Sequence, residues 1–367
     1  MSFFSALAGL YAMWQGLFFP ASFQPWVDTT RHVDCQIELE KIIDVEGDEV
    51  DRSIVTLLRD DRIFLRRDFA PHNLAVFERR GGILGEKARF VGTVGARGEG
   101  PGEYAIIAAV VPLPDGGLAL FDSRNLRLTR LAPDHAVVAT YSIPVSVRQH
   151  GALLLHDGTY LVSGQMIERP HFGSAAVQLD SAGRVLRYYG RDETEKEGPL
   201  RGHMVPRHVS YHERHGTVTM KRNVEYAIEV WNDDGTLNKV ISRDVAWFEW
   251  PPPRTPGVHG IGPGSPPENV FAGIQFDEAG RLWIVSITTP SDWQEGLDRR
   301  GRVVDRSKWM DYVIEVFDID AEATLCTKVV KDLYFPSGFA GPGVIKSYHE
   351  DLFGRPTVTF WRLSLVS

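Results

Sequence analysis

Short apolar runs alternate with tight polar turns along the chain. In five places an apolar run meets such a turn and resumes as a second apolar run, in the segments LLRDDRIFL, PLPDGGLALFD, LLLHDGTYLVS, YHERHGTVTM and FDEAGRLWIVS. The turns lie at Asp61, Gly116, Gly158, His215 and Gly280. Their intervals of roughly forty to sixty-five residues are typical of radial or solenoid repeats. Each copy therefore predicts a pair of antiparallel strands joined by a tight turn.

Further strand-like segments follow each of these turns. The stretch LALFDSRNLRLTRLAPDHAVVATYSIP, residues 118–144, alternates short β-rich runs with the turns SRN and PDH. Hairpin turns recur at Asp180–Gly183 and Asn232–Gly235. No segment after residue 30 has a convincing helical period. Four short strands per repeat predict the blades of a β-propeller, an all-β fold.

The repeats predict six blades. Five begin near Val50, Ile106, Val147, Pro206 and Val270, and a partial sixth, with two clear strands, runs from Gly343 to Val366. The strand-like segment Cys35–Val45 precedes the first blade, and we expect it to supply the outer strand of the last one. The prediction is a six-bladed β-propeller over residues 33–367, closed by an N-terminal strand so that no sheet edge is left free.

Residues 1–30 form a separate apolar segment. No charged residue occurs between Ser2 and Val27. This composition is typical of a signal peptide or a membrane anchor, whereas an apolar arm packed on the domain is the alternative. The first interpretation predicts an extracytoplasmic protein, which is periplasmic, secreted or attached to a membrane through residues 2–27.

Composition excludes some classes of partner. The 367 residues are 43% hydrophobic, which is enough for a large core, and the net charge of -8 gives no electrostatic reason to expect nucleic acid. Two cysteines, Cys35 and Cys326, do not have the paired spacing of a zinc site. One disulfide bridge and two free thiols are both open.

Two long segments interrupt the repeat. Residues 244–269 are rich in Pro and Gly and begin with Trp247 and Trp250, and residues 290–311 form a charged insertion with Trp293 and Trp309. Loops of this length inside a domain are usually functional or disordered. Their aromatic residues either hold the loops against the ring or form a lid or partner surface. We therefore predict contact with a protein or small-molecule ligand at these loops or at the channel mouth.

The segment RGEGPGEY, Arg97–Tyr104, and the following LPDGGLALFDSRNLRLTRLAPD resemble the bacterial six-bladed propellers related to NHL-repeat proteins. The resemblance covers the chain from about residue 33 onward. It implies an exported protein, often lipid-anchored or with a signal peptide, without a specific activity. Gly98, Gly100 and Gly102 are expected to adopt positive φ angles in a sharp crossover between blades. A phosphate loop is excluded because the Lys-Ser/Thr ending is missing.

Superposing the turns selects candidate residues of the central channel. Eight residues before Gly117, Gly158, Gly216 and Gly280, the predicted innermost strands carry Ala109, His150, His208 and Ala272, with Ile54 and Tyr348 as rougher equivalents. His150 and His208 thus share one register in neighbouring blades. Imidazole is a common ligand of divalent metals, here zinc or calcium, although both side chains could simply line a hydrated channel.

The remaining candidates do not decide between the two readings of the histidines. A third metal ligand would come from His203, His259, Glu268 or Asp277. Arg148 and Arg207 are candidates for binding an anionic ligand, together with Tyr348 near the channel, or for ordinary salt bridges. The turn His212–His215 is interpreted as a solvated hairpin tip.

Two functions from different classes remain after this comparison of patterns. The first is an extracytoplasmic binding or interaction scaffold. The second is a metal-dependent hydrolase or lyase of the NHL-related type, with His150 and His208 at the channel mouth. No nucleophile has a base at informative spacing, and neither GxSxG nor HExxH occurs. Whether the protein is an enzyme is therefore left open.

Overall fold

The computed structural model describes most of the predicted propeller domain. The described residues are 35–47, 49–50, 56–66, 72–80, 87–167, 171, 173–190, 207–221, 226–248, 269–289, 310–331, 338–351 and 354–366. All of them belong to one of the two units into which the chain divides, residues 31–367. The predicted apolar segment 1–30 lies outside the described residues. No helix within the described ranges is long and apolar enough to cross a membrane.

The described part of the chain is all β apart from one short 3-10 helix, Ala246–Phe248. One sheet has nine strands, β1 (Gln36–Glu46), β2 (Thr56–Arg59), β3 (Arg62–Arg66), β4 (His72–Arg80), β5 (Lys87–Arg97), β6 (Glu103–Tyr104), β23 (Phe339–Gly341), β24 (Val344–Glu350) and β25 (Pro356–Val366). The next two sheets contain β7 (Ile107–Pro112), β8 (Leu118–Asp122), β9 (Arg127–Leu131) and β10 (Val137–Ser142), and β11 (Val145–Leu154), β12 (Tyr160–Met166), β13 (Ala176–Leu179) and β14 (Val185–Tyr189). The last two contain β15 (Arg207–His212), β16 (Gly216–Lys221), β17 (Ala227–Trp231) and β18 (Leu237–Ser242), and β19 (Val270–Phe276), β20 (Leu282–Thr288), β21 (Asp311–Asp318) and β22 (Ala323–Val330).

The nine-stranded sheet consists of two antiparallel runs. The runs β2-β3-β4-β5 and β23-β24-β25-β1 meet where β5 and β1 pair in parallel at Lys87 and Asp44. As predicted, the N-terminal strand β1 pairs with the C-terminal strand β25, from Gln36 opposite Val366 to Glu46 opposite Thr357. Both ends of the domain are therefore held in the same run of strands.

The last run corrects the sequence analysis in one respect. Its first strand is β23, a short strand that ends before the predicted start of the blade at Gly343. The strand VIKSYHE is β24, the second of the run. Tyr348 therefore lies on a second strand and was wrongly aligned with the innermost strands.

The first strands of the runs lie at the centre. They contact one another in the order β2, β7, β11, β15, β19 and β23, and β23 in turn contacts β2. Buried apolar side chains fill the space between neighbouring sheets; Phe121, for example, packs edge to face on Tyr160 at 5.4 Å between ring centroids. A radial array of antiparallel four-stranded sheets around a central ring is a β-propeller.

Antiparallel order divides the loops between two faces. The turns that join first to second strands and third to fourth strands lie at one end of the sheets, which we call the turn face. The connections from second to third strands, and from each sheet to the next, lie at the opposite end, the crossover face. The segments 244–269 and 290–311 connect β18 to β19 and β20 to β21, so the described ends of both segments lie at the crossover face.

A disulfide bridge joins Cys35, just before β1, to Cys326 on β22. Of the two alternatives open from the sequence, the bridge is therefore the observed one. The bridge links the N-terminal strand to the outer strand of the preceding sheet.

Candidate functional site

The channel-lining strand β11 carries an irregularity at the predicted site. Its pairing with β12 is interrupted between Val147 and Ala152. His150 has a φ of 57°, in the left-handed region that residues other than glycine seldom adopt. A Cβ on Gly151 would lie 2.6 Å from the carbonyl oxygen of Ser163, so glycine is required there. Such local strain is concentrated at ligand-binding and switch positions.

The irregularity sets Arg148, Gln149 and His150 apart from the regular ladder. Gln149 is exposed, and Arg148 and His150 are half-buried. All three follow the start of β11, which comes from the crossover face. We call residues 148–150 the channel bulge; that His150 and Arg148 bind a ligand stays a prediction.

Arg207, at the start of the neighbouring first strand β15, has a defined partner. Its Nε donates to Glu229 Oε2 at 3.0 Å, and both side chains are largely buried, at 13% and 11% exposure. Thr219 Oγ1 donates to the same carboxylate oxygen at 2.6 Å. The guanidinium therefore belongs to a hydrogen-bonded network inside the fourth sheet, from β15 across β16 to β17.

His208 is directed to the next sheet. Its Nε2 lies 2.8 Å from the carbonyl oxygen of Phe271 on β19. Because a carbonyl oxygen only accepts hydrogen bonds, Nε2 carries the proton and is not available as a metal ligand in this arrangement. The interaction connects two neighbouring first strands.

Tyr348 and Asp277 have local roles in the structure. Tyr348 is buried, and its hydroxyl donates to Glu350 Oε1 at 2.6 Å. Asp277 lies in the turn between β19 and β20, on the turn face. Its Oδ2 accepts from Arg281 Nε at 2.8 Å and from Trp283 Nε1 at 3.0 Å. Asp277 is therefore a turn-stabilising residue at the face opposite to Arg207 and His208.

Within the described ranges no group of three or more His, Cys, Asp or Glu side chains is arranged to hold a metal ion. The other third-ligand candidates, His203, His259 and Glu268, lie outside the described residues. Among the described residues, His150 and His208 therefore lack the third ligand that a metal site would need.

The two tryptophan-bearing segments start from one hydrogen-bonded group of residues, Trp247, Asn269, Thr288 and Thr289, which we call the shared root. The carbonyl oxygen of Trp247 accepts hydrogen bonds from Asn269 Nδ2 and from Thr288 Oγ1, both at 3.0 Å. Asn269 Oδ1 accepts from the backbone N–H of Thr289 at 3.1 Å. The start and end of the first segment are therefore tied to the start of the second, whereas residues 249–268 and 290–309 lie outside the described residues. The sequence indicated both segments but not that they leave from one place.

A buried polar triad lies beside this root. The hydroxyl of Tyr226 donates to Glu315 Oε2 at 2.6 Å and accepts from Arg243 Nη1 at 2.8 Å. Burial, followed by the neighbouring Glu315 carboxylate, raises the pKa of Tyr226 well above its usual value, so the hydroxyl stays protonated. The ring of Tyr226 packs edge to face against Trp247 at 5.9 Å. The root is thus fixed to a packed and hydrogen-bonded base.

In the glycine-rich crossover Arg97–Tyr104, the carboxylate of Glu103 occupies the backbone N–H groups. Glu103 Oε2 accepts from the backbone N–H groups of Glu99 and Gly100, at 3.1 and 2.9 Å. A Cβ on Gly98 would overlap with that oxygen. Positive φ angles occur at Gly98 and Gly102, but Gly100 does not adopt the one expected from the sequence. With the amides already bound to Glu103, this crossover is a structural element.

The Asp122–Asn125 part of the resembling motif holds the same crossover. The Asp122 side chain is fully buried, and its Oδ1 accepts from the backbone N–H groups of Ile106, Arg124 and Asn125. Asn125 Nδ2 donates to the carbonyl oxygen of Gly98 at 3.1 Å. The motif therefore serves the connection between sheets, which agrees with a resemblance that concerns fold.

The turn His212–His215 differs from its interpretation as a solvated tip. The side chain of His215 is only 5% exposed, and Nδ1 lies 3.4 Å from Asp320 Oδ1. Its ring stacks on Phe276 at 5.5 Å. The missing information was the position of the next sheet, whose β19 supplies Phe276.

No protein-family model and no curated protein matches the chain. Among solved structures it is similar to a member of the DUF4221 family from Bacteroides vulgatus, with a TM-score of 0.59, 10% identity, and coverage of 90% of this chain and 99% of that one. A candidate exported protein from Bacteroides fragilis gives a TM-score of 0.54, 13% identity, and coverage of 92% and 98%. Virginiamycin B lyase from Staphylococcus aureus gives 0.47 and 10%, with coverage of 90% and 100%.

At these identities the likeness concerns the fold alone. It agrees with the radial arrangement of sheets, and the class defined by the fold is the β-propeller.

Proposed function

We propose that this protein is an extracytoplasmic six-bladed β-propeller that acts as a ligand-binding or protein-interaction scaffold through its crossover face. The observation that carries the proposal is the shared root of the two tryptophan-bearing segments, at Trp247, Asn269 and Thr288. A rigid base from which two long, aromatic segments leave side by side is suited to present anchor residues to a partner.

The blade count is supported by the order of contacts in the ring. The first strands that contact one another in a closed cycle are β2, β7, β11, β15, β19 and β23. The two runs of the nine-stranded sheet then count as separate blades joined at their outer strands, and β1 completes the last one. Pairing of β1 with β25 is the closure expected of an NHL-related propeller.

Export is supported by three independent features. The disulfide between Cys35 and Cys326 is the kind of bond that persists in oxidising compartments. The uncharged stretch from Ser2 to Val27 has the composition of a signal peptide or anchor. One structural neighbour is itself a candidate exported protein. Detection of the chain in an envelope fraction tests this part, and its recovery in the cytosol would contradict it.

The channel bulge extends the contact surface toward the ring axis. Arg148, Gln149 and His150 follow the crossover-face end of β11, and the root lies on the same face. A partner protein that engages the segments 244–269 and 290–311 would therefore reach the channel mouth as well. A small-molecule ligand at the mouth would meet the same bulge.

Site-specific photo-crosslinking in the native host tests the scaffold. A photoreactive residue is placed at Trp250 or Trp293 on the crossover-face segments, and at Val138 or Leu186 as exposed controls on outer strands. We expect one discrete product from each crossover-face position and none from the controls. Equal products from all positions, or none from the crossover face, would contradict the proposal.

The alternative function is a metal-dependent hydrolase or lyase, and a second measurement tests it. It needs a third ligand beside His150 and His208, and that ligand would come from outside the described residues. Metal analysis of purified protein, with thermal melts in zinc and in calcium, distinguishes the two functions. If a stoichiometric ion is found and is lost in both His150→Ala and His208→Ala, the enzyme function is supported and the scaffold function is contradicted.

A further inference from the structure

A cleft of about 610 Å³ opens between the second and third sheets. It is lined by residues 113–115 and 154–158, which belong to two neighbouring turns, and by Arg130, Tyr160 and Ser181. Because these turns join first to second strands, the cleft lies on the turn face. It is thus separate from the channel bulge and from the shared root. Its volume is in the range of small-molecule sites, roughly 300–1,000 Å³.

Tyr160 provides a hydroxyl group in the cleft. Its residue is 1% exposed, and its ring is fixed by the edge-to-face contact with Phe121. Its side chain lines the cleft. Burial raises the pKa of Tyr160, so the hydroxyl remains a donor at neutral pH. A tyrosine hydroxyl that lines a cleft can donate a hydrogen bond to an oxygen atom of a ligand.

Arg130 lines the same cleft and provides a guanidinium group there. Its Nη2 is 3.8 Å from Asp115 Oδ2, which is longer than a hydrogen bond, and the Arg130 side chain is 32% exposed. Its Nε has no hydrogen-bond partner among the residues described. A guanidinium held only loosely by its neighbour is available for the bidentate contact that it makes with a carboxylate.

The mouth of the cleft carries the opposite charge. Asp157 Oδ1 accepts from the backbone N–H of Thr159 at 3.0 Å and from its hydroxyl at 2.6 Å. The hydrogen bond from the Thr159 side chain lowers the pKa of Asp157, which keeps the carboxylate ionised. Asp115 is 60% exposed at the same mouth. The lining thus contains two carboxylates and one guanidinium. This balance disfavours a ligand with several negative charges and favours one that carries both a negative and a positive group.

We propose that this cleft binds a small zwitterion of amino-acid or short-peptide size. The ligand carboxylate contacts Arg130 and the Tyr160 hydroxyl, and the ligand ammonium contacts Asp115 and Asp157. This site goes beyond the scaffold function, because it lies on the other face and needs neither long segment.

Calorimetric titration with dipeptides tests the ligand class. The probes are L-alanyl-L-alanine, glycyl-aspartate, glycyl-lysine and glycyl-phenylalanine, with the amide and the N-acetyl form of alanyl-alanine as matched controls. We expect saturable binding of at least one free dipeptide below about 1 mM, and at least roughly tenfold weaker binding once either terminal charge is blocked. Absence of binding by all four at about 10 mM, or equal binding of the blocked forms, overturns the proposal.

Variants locate the site within the molecule. Arg130→Gln is expected to weaken dipeptide binding roughly tenfold to a hundredfold, and Tyr160→Phe by roughly twofold to tenfold. Arg281→Gln is the matched control, since Arg281 is also half-buried and paired with a turn aspartate, but in another sheet. Unchanged affinity in both cleft variants, with an unchanged melting curve, would place binding elsewhere and overturn the assignment. Phe at position 160 keeps the packing on Phe121, so loss of binding there is separable from loss of fold.

Discussion

Cys35 and Cys326 form a disulfide with Cα atoms 6.0 Å apart although 291 residues separate them in the sequence. The bridge connects β22, which is completed late in the chain, to the strand that begins the domain. It therefore closes almost the whole propeller into a covalent ring, and its effect on stability is directly measurable.

Removal of the bridge should destabilise the fold. We expect Cys35→Ser with Cys326→Ser to lower the free energy of unfolding by about 2–5 kcal/mol, because the open chain gains conformational entropy when it unfolds. Urea denaturation of the double variant against the oxidised protein measures this difference. Wild type treated with a reductant is the control and should match the variant; equal midpoints for all three samples would show that the bridge contributes nothing.

Asn269 should couple the two segments to their common base. Asn269→Ala removes the hydrogen bonds to Trp247 and Thr289, and we expect a loss of about 1–2 kcal/mol in unfolding free energy, with weaker crosslinking at Trp250 and Trp293. Asn232→Ala is the control, because its side chain donates to Thr236 within one exposed turn. If both variants crosslink like wild type, the root does not organise the contact surface.

Stability should fall on mild acidification because of His215. Burial lowers the pKa of His215, with Asp320 opposing and with His212 and Arg214 adding to the decrease. The folded protein then binds fewer protons than the unfolded chain, so this contribution is present above the ordinary histidine pKa of about 6.5 and is lost as pH falls below it.

The test compares melting temperatures between neutral and mildly acidic pH. His215→Phe, which keeps a ring stacked on Phe276, should show a smaller acid-induced decrease than wild type. His156→Phe changes a histidine that is 81% exposed and should leave the decrease unchanged. An identical pH profile for the His215 variant would exclude this residue as the source.

Gly98 should be intolerant of any side chain. A Cβ there would overlap with Glu103 Oε2, and φ is 159°, so Gly98→Ala is expected to destabilise by about 1–3 kcal/mol. Gly47→Ala is a matched control: φ is 121°, but no described atom lies within 4 Å of the added Cβ. The difference between the two denaturation midpoints isolates the contact with Glu103. Equal losses would attribute the effect to the backbone angle alone.

The strands were predictable where apolar runs and tight turns recur locally. Alternation and turn chemistry place β7 and β8 around Gly116, and the strand-like N-terminal segment predicts β1. The short strand β23 was missed because Phe339-Ala340-Gly341 is too brief and too rich in glycine to give a period. That omission moved Tyr348 by one strand in the superposition.

The functional features depend on contacts between different sheets, and these leave no local signal. Nothing near Asn269 indicates that its amide bonds both Trp247 and Thr289. The burial of His215 likewise depends on Phe276 of the next sheet. Tyr160 and Arg130 belong to different repeats, so their meeting in one cleft follows only from the ring. Residue types suggested a site at His150 and His208, but the direction of each side chain is set by packing.

Pairing of β1 with β25 imposes an order on the synthesis and folding of the chain. A chain that emerges with its N-terminus first carries β1 without β25 until residues 356–366 have followed. The disulfide between Cys35 and Cys326 cannot form before residue 326 has been synthesised. Closure of the ring through β1 and β25 is therefore a late event in synthesis, and until then the edge of β1 that pairs with β25 stays open.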